Sequence, residues 1–373
     1  MNDLISRRLK HAREKAGFTQ AQLSERLGFK DRQTLAAIEA GQRKILAEEL
    51  VRAAQALGVD LDYFMDSFRL DGEGRFSWRA KEVSPNLLEQ FEDRAGRWIA
   101  TYLRLGESKG AKTTLLQPTL TLNERSTFEN AIAAAEALGQ EWALGDVPAI
   151  KLEEAIRKHL GALVLHVDVN MRSGVSGAAC QVPGLSVILI NRNEGEGRRY
   201  FDLAHECFHL LTWEQMPPEH SEPIEESYRG KGKHKRVEQL ANNFAAALLV
   251  PRRVLEPLWQ ARDGQNINEW LNKTASYFRV TAKALRWRVT NLKWLSKAEE
   301  AAIQEDRLTA NGRPSKEQRT KPKLFSQEFV QRLRTALAEG GLSVRRAASL
   351  LEMTIEDLAN LFTSYDLPVP FDL

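Results

Sequence analysis

The chain has 373 residues, of which 43% are hydrophobic and 28% charged, and its formal net charge is only +3. This length predicts two or three domains with ordinary buried cores, and the near-balanced charge excludes a protein that binds nucleic acid over its whole surface. The two cysteines, Cys180 and Cys207, are too few for a disulfide scaffold. The polar start has no signal-peptide pattern, and no apolar run is long enough to span a bilayer. These features predict a cytoplasmic protein without membrane contact.

Short helices are predicted across residues 4–65. Thr19 and Gln22 have the spacing of a capping box, in which a hydroxyl and a side-chain amide satisfy the exposed N–H groups of a helix start. Gly28 and Gly58 stand where helices end, because glycine readily adopts the left-handed conformation of that position. The pattern predicts an all-α N-terminal domain.

Particular residues of this segment form a known pattern: Thr19, Gln20, Leu23, Gly28, Ile38, Glu39, Gly41, Leu50, Ala54, Leu57, Gly58 and Val59. On these residues, 4–65 resembles the lambda-repressor-like (XRE) helix-turn-helix family, in which the helix after Gly28 enters the major groove of double-stranded DNA. The resemblance implies DNA-binding residues at and around that helix: Gln20, Lys30, Arg32, Gln33, Thr34, Arg43 and Lys44. Alanine at positions 36 and 37 indicates weak base readout. The alternative is a protein-interaction module that reuses the fold.

Residues 67–144 are predicted to form a helical connector, with helices at 86–105 and 124–138. From residue 147 the pattern changes to mixed α/β. The predicted elements there are a helix at 152–160, strands at 163–169 and 187–191, and turns at Gly174 and Gly177.

The segment His-Glu-Cys-Phe-His at 205–209 is the strongest chemical signal. His205 and His209 lie four residues apart in a helical, apolar stretch, so both imidazoles can reach one metal ion. Glu206 stands beside them and can accept a proton from a water activated at that ion. The pattern predicts a metal-dependent hydrolase, and two histidines on a helix surface without a ligand role are the alternative.

A second helix is predicted from Lys235 to Leu249 and carries a candidate third ligand, Glu238. Two imidazoles and one carboxylate leave a fourth position open, as in catalytic zinc sites. Asn242 follows one helical turn later and is a candidate hydrogen-bond partner of the ligands. Spacing alone leaves a solvated surface role for Glu238 equally open.

Residues 238–251 have the pattern ExxANxFAxxLLxP, and 198–206 lead into the first motif. On these motifs, residues 145–295 resemble the ImmA/IrrE metallopeptidase family. The resemblance implies that Ser176-Gly177 lies in a loop and that 187–191 is an edge strand.

The same resemblance implies a site and a substrate class. The implied roles are Zn²⁺ binding by His205, His209 and Glu238, and catalysis by Glu206. Family members cleave or inactivate helix-turn-helix repressors of mobile elements, stress regulons or antiphage systems. The resemblance therefore implies an endopeptidase with a protein substrate, either a repressor or an antitoxin.

The two cysteines and three residues of the loop between the motifs also bear on the site or its regulation. Cys180 is expected on a loop-to-strand segment beside the cleft, where a thiolate could bind the zinc and inhibit the enzyme until oxidised; ordinary packing is the alternative. Cys207 lies about 200° around the helix from His205 and is predicted to pack in the core. Tyr228, His220 and His234 are candidates for stabilising an oxyanion, and a surface role is the alternative for each.

The last part of the chain is predicted to be helical after a basic, polar linker at 301–325. Ser326 and Thr354 have the sequence of helix N-caps. Residues 268–295 and the C-terminal helices also resemble small helix-turn-helix units, and their binding to nucleic acid or protein stays open.

These patterns together predict a multidomain, predominantly α protein: an all-α helix-turn-helix domain, an α+β zincin-like peptidase domain and a C-terminal helical domain. The predicted divisions are 1–66, 67–144, 145–300 with the trailing unit 268–295, 301–325 and 326–373. The alternative to a peptidase is a non-proteolytic transcription regulator that uses the zinc domain as a structural or sensor module. Homodimerisation stays open.

Overall fold

The computed structural model describes residues 2–70, 74–80, 83–107, 119–169, 174–223, 233–308 and 321–372. The chain forms two compact units, one made of Met1–Arg75, Leu88–Lys112 and Gln331–Leu373, the other of Phe76–Leu87 and Thr113–Val330. Within the described ranges, each helix is too short or too polar to cross a membrane.

The first unit begins with the predicted group of short helices. These are α1 (Asn2–Lys15), α2 (Gln20–Leu27), α3 (Arg32–Glu39), α4 (Ala47–Leu57) and α5 (Leu61–Met65). They enclose a core in which Leu9, Leu23, Leu35, Ile38 and Phe64 are fully buried. The predicted capping box at Thr19 and the left-handed Gly28 after α2 are both present, and Asp31 caps α3 by accepting from the Thr34 N–H.

Most of α6 (Pro85–Glu107) and the C-terminal helices complete this unit. The latter are α16 (Gln327–Ala338), α17 (Val344–Leu351) and α18 (Ile355–Ser364). Ion pairs join them to the rest of the unit, because Arg94 and Arg97 contact Glu352 at 2.9 and 2.6 Å, and Arg346 contacts Asp66 at 2.5 Å. The helices predicted to form a separate C-terminal domain thus lie in the same compact unit as the N-terminal module.

The second unit contains a five-stranded sheet with strand order β2-β4-β3-β1-β5. The strands are β1 (Arg75–Ala80), β2 (Leu163–Val167), β3 (Val175–Val182), β4 (Leu185–Asn191) and β5 (Ser221–Pro223). β2 runs parallel to β4, β3 runs antiparallel to β4, and β1 runs parallel to β5.

The sheet corrects three sequence predictions. Residues 75–80 form a strand inside the stretch predicted as a helical connector, because their aromatic residues alternate with polar ones and fit a pleated surface. Ser176-Gly177 lies in β3 and not in a loop, and 187–191 belongs to an interior strand and not to an edge. The tight turn at Gly184, with φ of 82°, folds β3 back on β4 and gives β4 a partner on each side.

Helices cover this sheet and form the main core. They are α7 (Phe128–Glu141), a 3-10 helix (Pro148–Ile150), α8 (Leu152–Leu160), α9 (Glu196–Thr212), α10 (Lys233–Leu249), α11 (Arg252–Gln260), α12 (Ile267–Phe278), α13 (Ala282–Asn291), α14 (Lys297–Ala302) and α15 (Glu305–Leu308). α9 and α10 pack through Phe208 and Phe244, both fully buried, with ring centroids 5.3 Å apart. α15 corrects the predicted linker, which begins later than residue 301 because Leu308 is buried in the core; residues 309–320 of that linker lie outside the described chain.

Candidate metal centre and DNA-binding helix

The motif on α9 meets the predicted ligand on α10. His205 and His209 lie on one face of α9, and their Nε2 atoms are 3.0 Å apart. Glu238 on α10 places one carboxylate oxygen 3.3 Å from His205 Nε2 and the other 3.3 Å from His209 Nε2. All three side chains are buried, and one ligand atom from each lies within 4.8 Å of the others.

The spacing of these atoms fits a metal ion. Two ligand atoms at about 2.0–2.1 Å from a tetrahedral zinc ion are about 3.3 Å apart. The three separations of 3.0, 3.3 and 3.3 Å are close to that value. The cluster can therefore hold a metal ion, and its two imidazoles and one carboxylate leave a fourth position for another group.

Asn242 lies where the sequence predicted it. Its Oδ1 is 3.0 Å from His205 Nδ1. Because an amide oxygen only accepts, Nδ1 carries the proton and the lone pair of Nε2 is directed at the cluster. The contact holds the imidazole in the tautomer and orientation that a metal ligand requires.

The two imidazoles also determine the charge of Glu238. Burial of this carboxyl raises its pKa, but the nearby His205 and His209 lower it, and the pKa lies well below its ordinary value. A lowered pKa favours the carboxylate form of Glu238, which is the form that binds a cation.

Glu206, the predicted catalytic residue, is fully buried on α9 next to His205. Strand β3 passes close to it at Gly177, where an added Cβ would lie 3.9 Å from Glu206 Cγ and 2.9 Å from the Leu189 carbonyl oxygen. The contact with Glu206 would be an ordinary one, but the contact with Leu189 would push β3 from β4, so the glycine is needed for the pairing of the two strands beside the site.

Arg79 on β1 is a site residue that the sequence analysis missed. Its Nη1 lies 2.7 Å from His205 Nε2, and its Nε lies 3.0 Å from Asp202 Oδ1. Both side chains are buried, with 3% exposure for Arg79 and none for Asp202. The period-2 alternation of aromatic residues at 76 and 78 was a signal for the strand. Arg79 precedes His205 by 126 residues, and no local pattern in the sequence indicates that its strand lies beside the histidine motif.

Residues 160–290 match the peptidase family model described as the IrrE N-terminal-like domain. Residues 9–64 match a family model described as helix-turn-helix. No curated protein matches the chain. The two matches lie on the two regions that the sequence motifs had indicated, and they give the chain a helix-turn-helix domain and an IrrE-like domain.

Cys180 is not among the residues that converge at the candidate metal centre, which corrects the prediction of an inhibitory thiolate there. Side chains alternate along β3, and the pairing of β3 with β4 is regular from Gly177 to Val182. Since the Cβ position of Gly177 faces Glu206, Cys180, three residues later, points to the opposite face of the sheet. Cys207 is buried in the core as predicted, where burial raises the pKa of its thiol.

The predicted oxyanion residues have different outcomes. Tyr228 and the side chain of His234 lie outside the described part of the chain. His220 is exposed, and its backbone carbonyl accepts from the N–H of Trp78 in the pairing of β1 with β5.

The helix-turn-helix domain presents some of its predicted DNA-binding side chains to solvent. Lys30, Arg32, Gln33 and Lys44 are exposed. The other three have partners inside the domain: Gln20 donates to Glu39 at 2.9 Å, the Thr34 hydroxyl contacts Asp31 at 3.1 Å, and Arg43 binds Glu49 through two contacts of 2.8 and 2.9 Å. Arg43 also lowers the pKa of Glu49, so its charge is largely matched within the domain.

Proposed function

We propose that this protein is a zinc-dependent endopeptidase that cleaves a regulatory protein, either a helix-turn-helix repressor or an antitoxin, in a stress, mobile-element or antiphage system. The observation that carries the proposal is the convergence of His205, His209 and Glu238 beside Glu206 in the IrrE-like domain. The helix-turn-helix domain in the same chain supports double-stranded DNA as a second partner. Bound to DNA, the helix-turn-helix domain would localise the enzyme or repress the operon that encodes the protein.

His205, His209 and Glu238 would hold the zinc ion, which when bound lowers the pKa of a water and polarises a peptide carbonyl. Glu206 is the general base: its carboxylate accepts the proton of the attacking water and then transfers it to the departing amine. Asn242 holds the His205 ring in place through Nδ1. Burial of these groups keeps competing water away from the reacting atoms.

Metal analysis and cleavage test the two parts of the proposal separately. The purified full chain is expected to contain one zinc ion, and the His205→Ala/His209→Ala double variant is expected to contain none. Undiminished zinc in that variant would contradict the assignment of the ligands.

Glu206→Gln is expected to keep the zinc and to cleave at least about a hundredfold more slowly, because an amide cannot accept the proton. The substrates to incubate are the repressor or antitoxin proteins encoded beside this gene. Cleavage by Glu206→Gln at the wild-type rate would contradict the mechanism. Bound zinc with no cleavage of these proteins by the wild type would favour the non-proteolytic regulator.

A further inference from the structure

A cavity of about 260 Å³ lies in the second unit beside two residues that contact His205. Arg79 and Asn242 line it, and both also contact His205. Phe201 and Trp287 line it as well and are only half-buried, so the cavity reaches the surface. Its position beside His205 makes it a candidate site for a side chain that neighbours the bond cut at the metal centre.

The charged groups of the cavity wall are positive. Arg79 and Arg198 line the cavity, and its described lining contains no carboxylate. Asp202 lies behind them, fully buried. Its Oδ2 accepts from Arg198 Nε at 3.1 Å, and its Oδ1 forms an ion pair with Arg79 Nε at 3.0 Å. One carboxylate between two guanidinium groups leaves a formal charge of about +1 at the wall, which favours an anionic ligand.

Both arginines place Nε beside Asp202, which leaves their outer nitrogens for contacts with other acceptors. Arg79 Nη1 contacts His205 Nε2, whose lone pair a metal ion would take. An N–H displaced from that lone pair would be a buried donor in need of another acceptor. Arg198 Nη2 is likewise buried and makes no hydrogen bond to the described residues. A carboxylate in the cavity would supply acceptors for both guanidinium groups.

The rest of the wall suits the stem of a side chain. Phe128, Phe201 and Trp287 supply apolar surface for methylene groups, and the amides of Asn242 and Gln239 are potential hydrogen-bond donors. This combination of aromatic surface, amides and guanidinium groups matches a side chain with a short apolar stem and an acidic end.

We propose that this cavity is a specificity pocket for an aspartate or glutamate side chain of the substrate, next to the peptide bond that is cut. The inference rests on the proposed peptidase function and names the substrate class. Arg198 and Arg79 would bind the carboxylate, and Asp202 would position both guanidinium groups.

The test measures binding and does not require turnover. Blocked tripeptides Leu-Glu-Leu and Leu-Gln-Leu are titrated by calorimetry into the zinc-loaded full chain carrying Glu206→Gln. The glutamate peptide is expected to bind about tenfold more tightly, because a charge-assisted contact replaces a neutral one. In the same Glu206→Gln background, Arg198→Gln should abolish the preference for the glutamate peptide, and Arg198→Lys should retain part of it. Arg199→Gln, on the same helix but outside the cavity lining, should leave it unchanged.

Thermal melts of each variant separate loss of binding from loss of folding. Equal affinity for the two peptides, no measurable binding of either, or an unchanged preference in folded Arg198→Gln would overturn the pocket. Tighter binding of a phosphoserine peptide than of the glutamate peptide would overturn the carboxylate assignment in favour of phosphate. These outcomes leave the zinc content and the Glu206→Gln cleavage test untouched, so failure of the pocket and failure of the peptidase function are distinguishable.

Discussion

The candidate metal centre and the candidate DNA-binding helix place their functional side chains in opposite environments. His205 and His209 are fully buried, and each contacts Glu238. Lys30, just before α3, and Arg32, its first residue, are exposed. The first site depends on the packing of α9, α10 and the sheet, whereas the second depends on one short helix in its own small core.

This difference teaches how each site should respond to change. A buried polar group that loses its partner has no water to replace it, so effects at the metal centre should be large and coupled. Exposed charges interact weakly and are screened by salt, so effects at the DNA-binding helix should be smaller and more nearly independent.

The largest expected effect sharpens the first half of the comparison. Asn242→Ala removes the acceptor of His205 Nδ1 and should weaken zinc binding by about 10- to 100-fold. Asn243→Ala is the matched control, because Asn243 donates to the Gln239 carbonyl and accepts from Asn291, and neither partner is a candidate metal ligand. Competition with a zinc chelator gives both affinities. Equal losses in the two variants would mean that general packing, and not the orientation of His205, controls the affinity.

A second prediction concerns how close packing holds α9. A Cβ at Gly197 would lie 2.7 Å from the Val280 backbone carbon and 2.8 Å from the Thr281 nitrogen, so Gly197→Ala should lower the free energy of unfolding by about 1–3 kcal/mol. At Gly139 in α7 the nearest atom would be Leu248 Cδ1 at 3.6 Å, an ordinary contact. Gly139→Ala should therefore be neutral or stabilise by up to about 1 kcal/mol. Urea denaturation of both variants checks the contrast, and similar destabilisation by both would contradict it.

The smallest effects are expected at the exposed site, measured as the salt dependence of duplex DNA binding. Arg32→Ala should reduce the slope of log K against log salt by about 0.9, the value for one lost phosphate contact. Arg43→Ala should change the slope less, because Glu49 already pairs with that guanidinium. Fluorescence anisotropy on promoter and unrelated DNA gives the slopes. A larger change for Arg43→Ala would reverse the assignment, and no binding of either DNA at low salt would indicate a protein-interaction module.

Local patterns in the sequence were sufficient to place the two histidines of the candidate metal centre on one helix face and to predict the N-terminal helices, whereas the role of Glu238 needed the family resemblance. His205 and His209 share a helix face because they are four residues apart, and Glu238 and Asn242 are related in the same way on α10. The capping box at Thr19 is also determined within one turn. Each of these features follows from helical periodicity over a few residues, which the sequence displays directly.

Only the tertiary structure decided what surrounds those ligands. Arg79 reaches His205 because β1 joins the sheet beside β3, a pairing between segments far apart in sequence that no local pattern specifies. Cys180 points away from the site because the hairpin of β3 and β4 determines which face each residue takes. Periodicity shows which residues share a face of one helix or strand, but the choice of neighbouring element depends on packing summed over the whole unit.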